Sequence, residues 1–106
     1  MEIAVETRKP ILIHTREAWD DTFALIEKHW APAGLPGVMH CFTESQPFAM
    51  ASIDLGFRIS FSGIVTFKNA AAVKEVAKAI PLDAMLVETD SPYLAPVPHR
   101  GKTNEP

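Results

Sequence analysis

The chain has 106 residues, enough for one domain and no second module, with 47% hydrophobic and 22% charged residues, the balance of a folded chain and not of a disordered tail. Ten Lys and Arg against thirteen Asp and Glu leave a formal charge of −3, so the molecule as a whole has no electrostatic attraction for nucleic acid or anionic lipid. The single cysteine, Cys41, excludes an internal disulfide and any multi-cysteine zinc site, and fits a reducing compartment. The longest apolar runs fall short of a membrane span. Residues 1–8 are acidic and helical in character, unlike a signal sequence, and the expected location is the cytoplasm.

Taken in chain order, short apolar runs alternate with segments of helical period, the pattern of successive βα units on a parallel sheet. Residues 1–8 form a helix end that Pro10 terminates. Ile11, Leu12 and Ile13 make a strand ending at His14. Thr15 is the expected cap of a helix with apolar positions Trp19, Phe23, Ile26 and Trp30. After a loop punctuated by Pro32, Gly34, Pro36 and Gly37, the run Gly37-Val38-Met39 gives a second strand that again finishes on a histidine, His40.

Ser45 is the expected cap of the next helix, with Pro47 in its first turn and Gly56 at its left-handed end. Phe57 to Ser62 reads as a third strand, with Ile59 and Phe61 on one face. Asn69 is the expected cap of a third amphipathic helix, whose apolar face is Val73, Val76, Ala77 and Ile80 and which Pro81 ends. The fourth strand, Met85 to Glu88, runs into Thr89-Asp90-Ser91-Pro92, and the remainder is loop.

The strand ends at His14, His40, Ser62 and Asp90 lie 26, 22 and 28 residues apart, about one βα unit each. In α/β sheets and barrels, ligand-binding groups collect at the carboxyl ends of strands. Two imidazoles and a carboxylate in that position form a donor set for a divalent metal. The competing reading makes His14 and His40 hydrogen-bonded structural histidines and Asp90 a turn cap. Glu88 shares a strand face with Asp90, either in a joint metal or base site or bonded to a neighbouring hydroxyl or cation.

Arg16 could clasp an anionic substrate or pair with Glu17 or Asp20. His99, Arg100 and Lys102 form the only basic cluster, a phosphate contact or a solvated turn. Cys41 reads as a small buried hydrophobe, since strand alternation turns it away from His40. Phe42, Phe57, Phe61 and Phe67 read as core and not as a base-stacking set.

The motifs Ile13-His14-Thr15-Arg16-Glu17-Ala18, His40-Cys41-Phe42-Thr43, Gly56 through Phe67, and Val87-Glu88-Thr89-Asp90-Ser91-Pro92-Tyr93-Leu94-Ala95-Pro96 occur in one order. With the closing Val97-Pro98-His99-Arg100-Gly101-Lys102, they resemble the TatD family of metal-dependent deoxyribonucleases over nearly the whole chain. The resemblance implies an α/β fold, a (β/α)8 TIM barrel of the metal-dependent hydrolase type, that hydrolyses phosphodiester bonds of DNA, as an exonuclease, by metal-activated water. It implies divalent metal ions (Mg, Mn or Zn; two in a full-length protein), with His14 and His40 on one metal. Asp90 matches the aspartate that binds the other and that orients or deprotonates the water, so it is the catalytic candidate. Arg16, His99 and Arg100 fall where substrate phosphate contacts are expected.

The family's opening His-x-His strand and its third-strand glutamate have no counterpart here. Such a barrel needs about 250 residues, so residues 1–106 are expected to form a single partial barrel of about four parallel βα units, the fourth to the seventh, as an internal fragment with little or no activity alone. Its open face and edges are expected to associate with a second copy or with the rest of the barrel, and DNA is the substrate partner of the full-length protein, with no membrane involved. An ester or amide hydrolase such as an aminoacyl-tRNA deacylase, and a non-catalytic association module, are the alternatives.

Overall fold

A computed structural model describes all 106 residues. Helix α1 (Glu2–Thr7) ends at Arg8, whose left-handed φ of 53° turns the chain two residues before Pro10 would have broken the helix. Then follow β1 (Ile11–Ile13), α2 (Trp19–His29), β2 (Gly37–Met39), α3 (Gln46–Asp54), β3 (Phe57–Phe61), α4 (Ala71–Ala79) and β4 (Met85–Val87). The four strands form one parallel sheet in the order β1-β2-β3-β4. Each neighbouring pair is joined by a crossover containing a helix, as parallel pairing requires. No helix is long and apolar enough to cross a membrane.

Alternation along the strands gives the sheet two unlike faces. Met39, Phe57, Ile59 and Phe61 enter a core shared with Trp19, Ile26 and Trp30 of the α2 segment, Ala49 of α3, and Val73, Val76 and Ile80 of the α4 segment. The register pair Gly37↔Phe57 explains the glycine, because a β-carbon there would run into the Phe57 ring. Trp30 is fully buried and its indole Nε1 donates to the Leu35 carbonyl at 2.9 Å. This single bond ties the end of α2 to the approach of β2. On the other parity stand Leu12, Val38, Arg58 and Leu86. Leu12 is 63% exposed and Leu86 37%, an apolar surface that no helix of the chain covers.

Two expected caps are displaced. Helix α2 starts at Trp19 with Ala18 at its cap position, after a left-handed Glu17 (φ 54°). Thr15 instead accepts a hydrogen bond from the Thr22 hydroxyl at 2.9 Å, so it braces the first turn from outside. Helix α4 is capped at Ala70 and not Asn69, because the Ala70 N–H is taken by the carbonyl of Phe67. Ser45 does occupy the cap position of α3, with Pro47 in the first turn, and Gly56 follows with φ 86°. Phe42, Phe57, Phe61 and Phe67 are all buried, as core packing requires.

Residues 88–106 contain neither helix nor strand, yet they are fastened to the domain. Thr66 Oγ1 accepts from the Val97 N–H at 2.8 Å. Asn104, 8% exposed, donates from its side chain to the Tyr93 carbonyl and from its backbone to the Pro92 carbonyl, both at 2.9 Å.

Candidate metal centre

The sheet ladder continues one residue past β2 and β4 through His40 N–H to the Ile13 carbonyl at 2.8 Å and Glu88 N–H to the Phe61 carbonyl at 3.0 Å. This extension keeps His40 and Glu88 in strand geometry. They share the parity of Val38 and Leu86, and therefore stand on the face away from the helices. His14, the residue after β1, follows Leu12 on the same parity. Three strands thus present polar groups at their carboxyl ends on one side of the sheet.

His14 and His40 meet there, their Nδ1 atoms 3.5 Å apart and their ring centroids 5.7 Å apart. Two imidazole nitrogens facing each other repel unless a proton or a cation lies between them. Nitrogens that ligate one tetrahedral zinc ion at about 2.0–2.1 Å are about 3.4 Å apart. The pair therefore fits a divalent ion. On the far side of the His40 ring, Nε2 lies 3.0 Å from Glu88 Oε1, and Glu88 Oε2 accepts a 2.6 Å hydrogen bond from the buried Ser60 hydroxyl. Of the two readings of Glu88, the structure shows the hydroxyl contact. Ser60 was not singled out from the sequence, since a lone serine inside an apolar strand carries no signal until the strands are aligned.

Asp90 lines the same cleft as His14, without joining the two histidines in a three-ligand cluster. The cleft is about 460 Å3 and includes Arg16, Cys41, Tyr93 and Leu94 among its walls. The structure therefore brings His14, Arg16 and Asp90 to one opening, with His40 beside His14. It does not bring His99 or Arg100 there. Arg100 stacks its guanidinium 3.9 Å over the Phe67 ring, a cation–π contact, and His99 lines a separate cleft with Lys102 and Asn104.

Cys41 departs from strand alternation. Its φ of 50° is left-handed, so the residue after His40 turns into the cleft wall and does not point to the opposite side. The thiol is nonetheless buried, and Sγ lies 3.4 Å from the Ser62 hydroxyl. Burial pushes its pKa up, the Ser62 hydrogen bond opposes this, and the nearby Asp90 and Glu88 carboxylates add to the rise. A thiol held protonated is a poor nucleophile and a poor ligand.

Comparison with known proteins identifies the family and the fold. The family described as TatD related DNase matches residues 1–106. The chain is 55% identical over 107 residues to the uncharacterized metal-dependent hydrolase YcfH of Escherichia coli K12, covering 100% of this chain and 40% of that protein. It is 48% identical over 104 residues to the uncharacterized metal-dependent hydrolase YabD of Bacillus subtilis, covering 98% and 40%. Among solved structures, the TatD homologue YjjV of Escherichia coli K12 superposes with a TM-score of 0.87 at 28% identity, covering 99% of this chain and 40% of that one. A TatD family hydrolase of Entamoeba histolytica superposes with a TM-score of 0.75 at 25% identity, covering 89% and 31%. The chain thus spans about 40% of the length of the curated relatives it matches, and its four-stranded parallel sheet is a partial barrel.

Proposed function

Because the chain belongs to the TatD-related DNase family over its whole length, we propose that the whole protein is a cytoplasmic metal-dependent hydrolase that cleaves phosphodiester bonds of DNA. The observation that carries this reading is the His14–His40 nitrogen pair, 3.5 Å apart at the strand ends, where His14 lines a cleft with Asp90 and Arg16. His14 and His40 would hold a divalent ion, Mg, Mn or Zn. Such an ion, when bound, polarises the phosphoryl oxygen and makes water a nucleophile near neutral pH.

The chain's own residues do the remainder. Asp90, half-buried on the cleft wall, accepts a proton from the attacking water or orients it. The Arg16 guanidinium, exposed at the same opening, can clasp a phosphate through two N–H donors. The net charge of −3 offers DNA no general attraction, so binding rests on these local cations. The exposed apolar side of the sheet, with Leu12 and Leu86, is covered in the working protein by the remaining strands of the barrel.

The test is a chimaera in which these 106 residues replace the matching segment of the Escherichia coli relative. Metal-dependent release of acid-soluble nucleotides from DNA, lost on His14→Ala, His40→Ala or Asp90→Ala, is the expected result. Release of free amino acid from an aminoacyl ester without DNA hydrolysis would move the assignment to ester or amide cleavage. Hydrolysis by neither route, with no stoichiometric metal uptake, would leave an association module. The isolated 106-residue chain is expected to hydrolyse DNA at a small fraction of the chimaera's rate.

A further inference from the structure

We infer that Ser60, Glu88 and His40 form a relay that holds the His40 ring with Nδ1 toward His14, so that Glu88 is a positioning residue for the nitrogen pair and not one of its donors. This rests on the reading of His14 and His40 as metal ligands. Ser60 is 3% exposed in the middle of the sheet. A hydroxyl buried there requires an acceptor, and it finds Glu88 Oε2 at 2.6 Å. That bond crosses from β3 to β4, where Ser60 is in register with Leu86 and Glu88 stands one pleat further on.

One carboxylate oxygen is thereby anchored. The other, Oε1, is shielded from solvent and has no hydrogen bond of good geometry, while His40 Nε2 lies 3.0 Å away. A buried carboxylate oxygen is costly unless a proton or cation faces it. A proton on Nε2 of His40, 3.0 Å away, can face it. A neutral imidazole carrying its proton on Nε2 has its lone pair on Nδ1, and Nδ1 is the atom that faces His14. The tautomer that turns a proton to Glu88 is therefore the tautomer that leaves a donor nitrogen toward His14. Carboxylates that orient ligand histidines in this way alter metal affinity by about 10–100-fold when removed.

The experiment is a long-range proton–nitrogen correlation spectrum of the histidine rings in the 15N-labelled chain, first with chelator and then with zinc. The expected result is His40 in the Nε2–H form without metal and a zinc-induced shift at its Nδ1. Glu88→Gln, which is isosteric, and Ser60→Ala should shift the signals toward a mixture of tautomers and weaken zinc binding by about 10–100-fold. Ser60→Thr, which keeps the hydroxyl, should restore the original pattern. The same His40 signals in the unaltered chain, Glu88→Gln and Ser60→Ala would overturn the relay. So would a zinc shift at Nε2, which would make Glu88 a ligand beside it. A chain whose His40 is held in the Nε2–H form but which takes up no zinc would refute the metal reading and support the relay, so the two failures are told apart.

Discussion

Replacing Gly63 with alanine probes the contact that holds the Asp90 loop against the cleft. Gly63 begins the short helical turn 63–66 after β3, and its φ is not in the left-handed region. On backbone grounds alone, alanine should stabilise the protein by about 0.4–1 kcal/mol through the unfolded state. The structure reverses that sign. A β-carbon at Gly63 would overlap the Leu94 carbonyl oxygen and lie 3.3 Å from the Leu94 carbonyl carbon and 3.2 Å from Pro96 N. All three are backbone atoms, so no rotamer change relieves the overlap.

Overpacking of this kind costs about 1–3 kcal/mol, which leaves a net loss of up to about 2.6 kcal/mol after the entropic gain. In a domain of this size that corresponds to a fall in Tm of up to about 20 °C. The displaced segment also carries cleft residues Asp90, Tyr93 and Leu94. A shift of about 1 Å at a reacting group can cost about 100-fold in rate. The assay pairs thermal melting of the chain with DNA hydrolysis by the chimaera. Gly56→Ala is the control, because its φ of 86° strains alanine while nothing lies within 4 Å of the added carbon; it should lower Tm and leave turnover intact. A Gly63→Ala protein as stable as the original, with unchanged turnover, would refute the reasoning.

Three further outcomes are expected. Cys41 has its pKa raised above 9.0 by burial, so less than about 1% is thiolate at pH 7, and iodoacetamide should alkylate it in metal-free protein more slowly than free cysteine. Since the unfolded thiol ionises first, the stability that the buried neutral thiol contributes is intact below about pH 9 and lost as pH rises above it; in denaturant titrations the margin of the native protein over Cys41→Ala should be larger at pH 7 than at pH 10. Arg16→Ala should weaken DNA binding by the chimaera, measured by anisotropy, and flatten its salt dependence, whereas Arg100→Ala, already stacked on Phe67, should leave binding within about twofold and lower Tm through the lost cation–π contact. Trp30→Phe removes the buried bond to the Leu35 carbonyl and should cost about 2–3 kcal/mol in denaturant titration.

Much of the fold could be read from one dimension because its causes are local. Pro10 and Pro81 stop helices by removing a donor and restricting the preceding residue. Trp19, Phe23, Ile26 and Trp30 make a stripe wherever a helix forms, and Gly56 marks a left-handed end. The caps at Thr15 and Asn69 could not be read this way, because cap residues compete with other hydrogen-bond partners. Thr22 claimed the Thr15 hydroxyl, and the chain entering α4 closed on Phe67 instead of on the Asn69 side chain.

Of the site, the sequence alone determined the residue types, their positions at strand ends, and the two-residue period that puts Glu88 and Asp90 on one face of an extended strand. The tertiary structure decided which of them meet. Parallel register across β2, β3 and β4 puts Ser60 beneath Glu88 and Glu88 beside His40, partners 28 and 48 residues apart in the chain. It also turned Cys41 into the cleft through one left-handed residue and moved Arg100 onto Phe67. Periodicity describes one strand against its own axis, whereas a hydrogen bond between strands depends on how far each has slid past its neighbour. That slide is set by packing across the whole sheet.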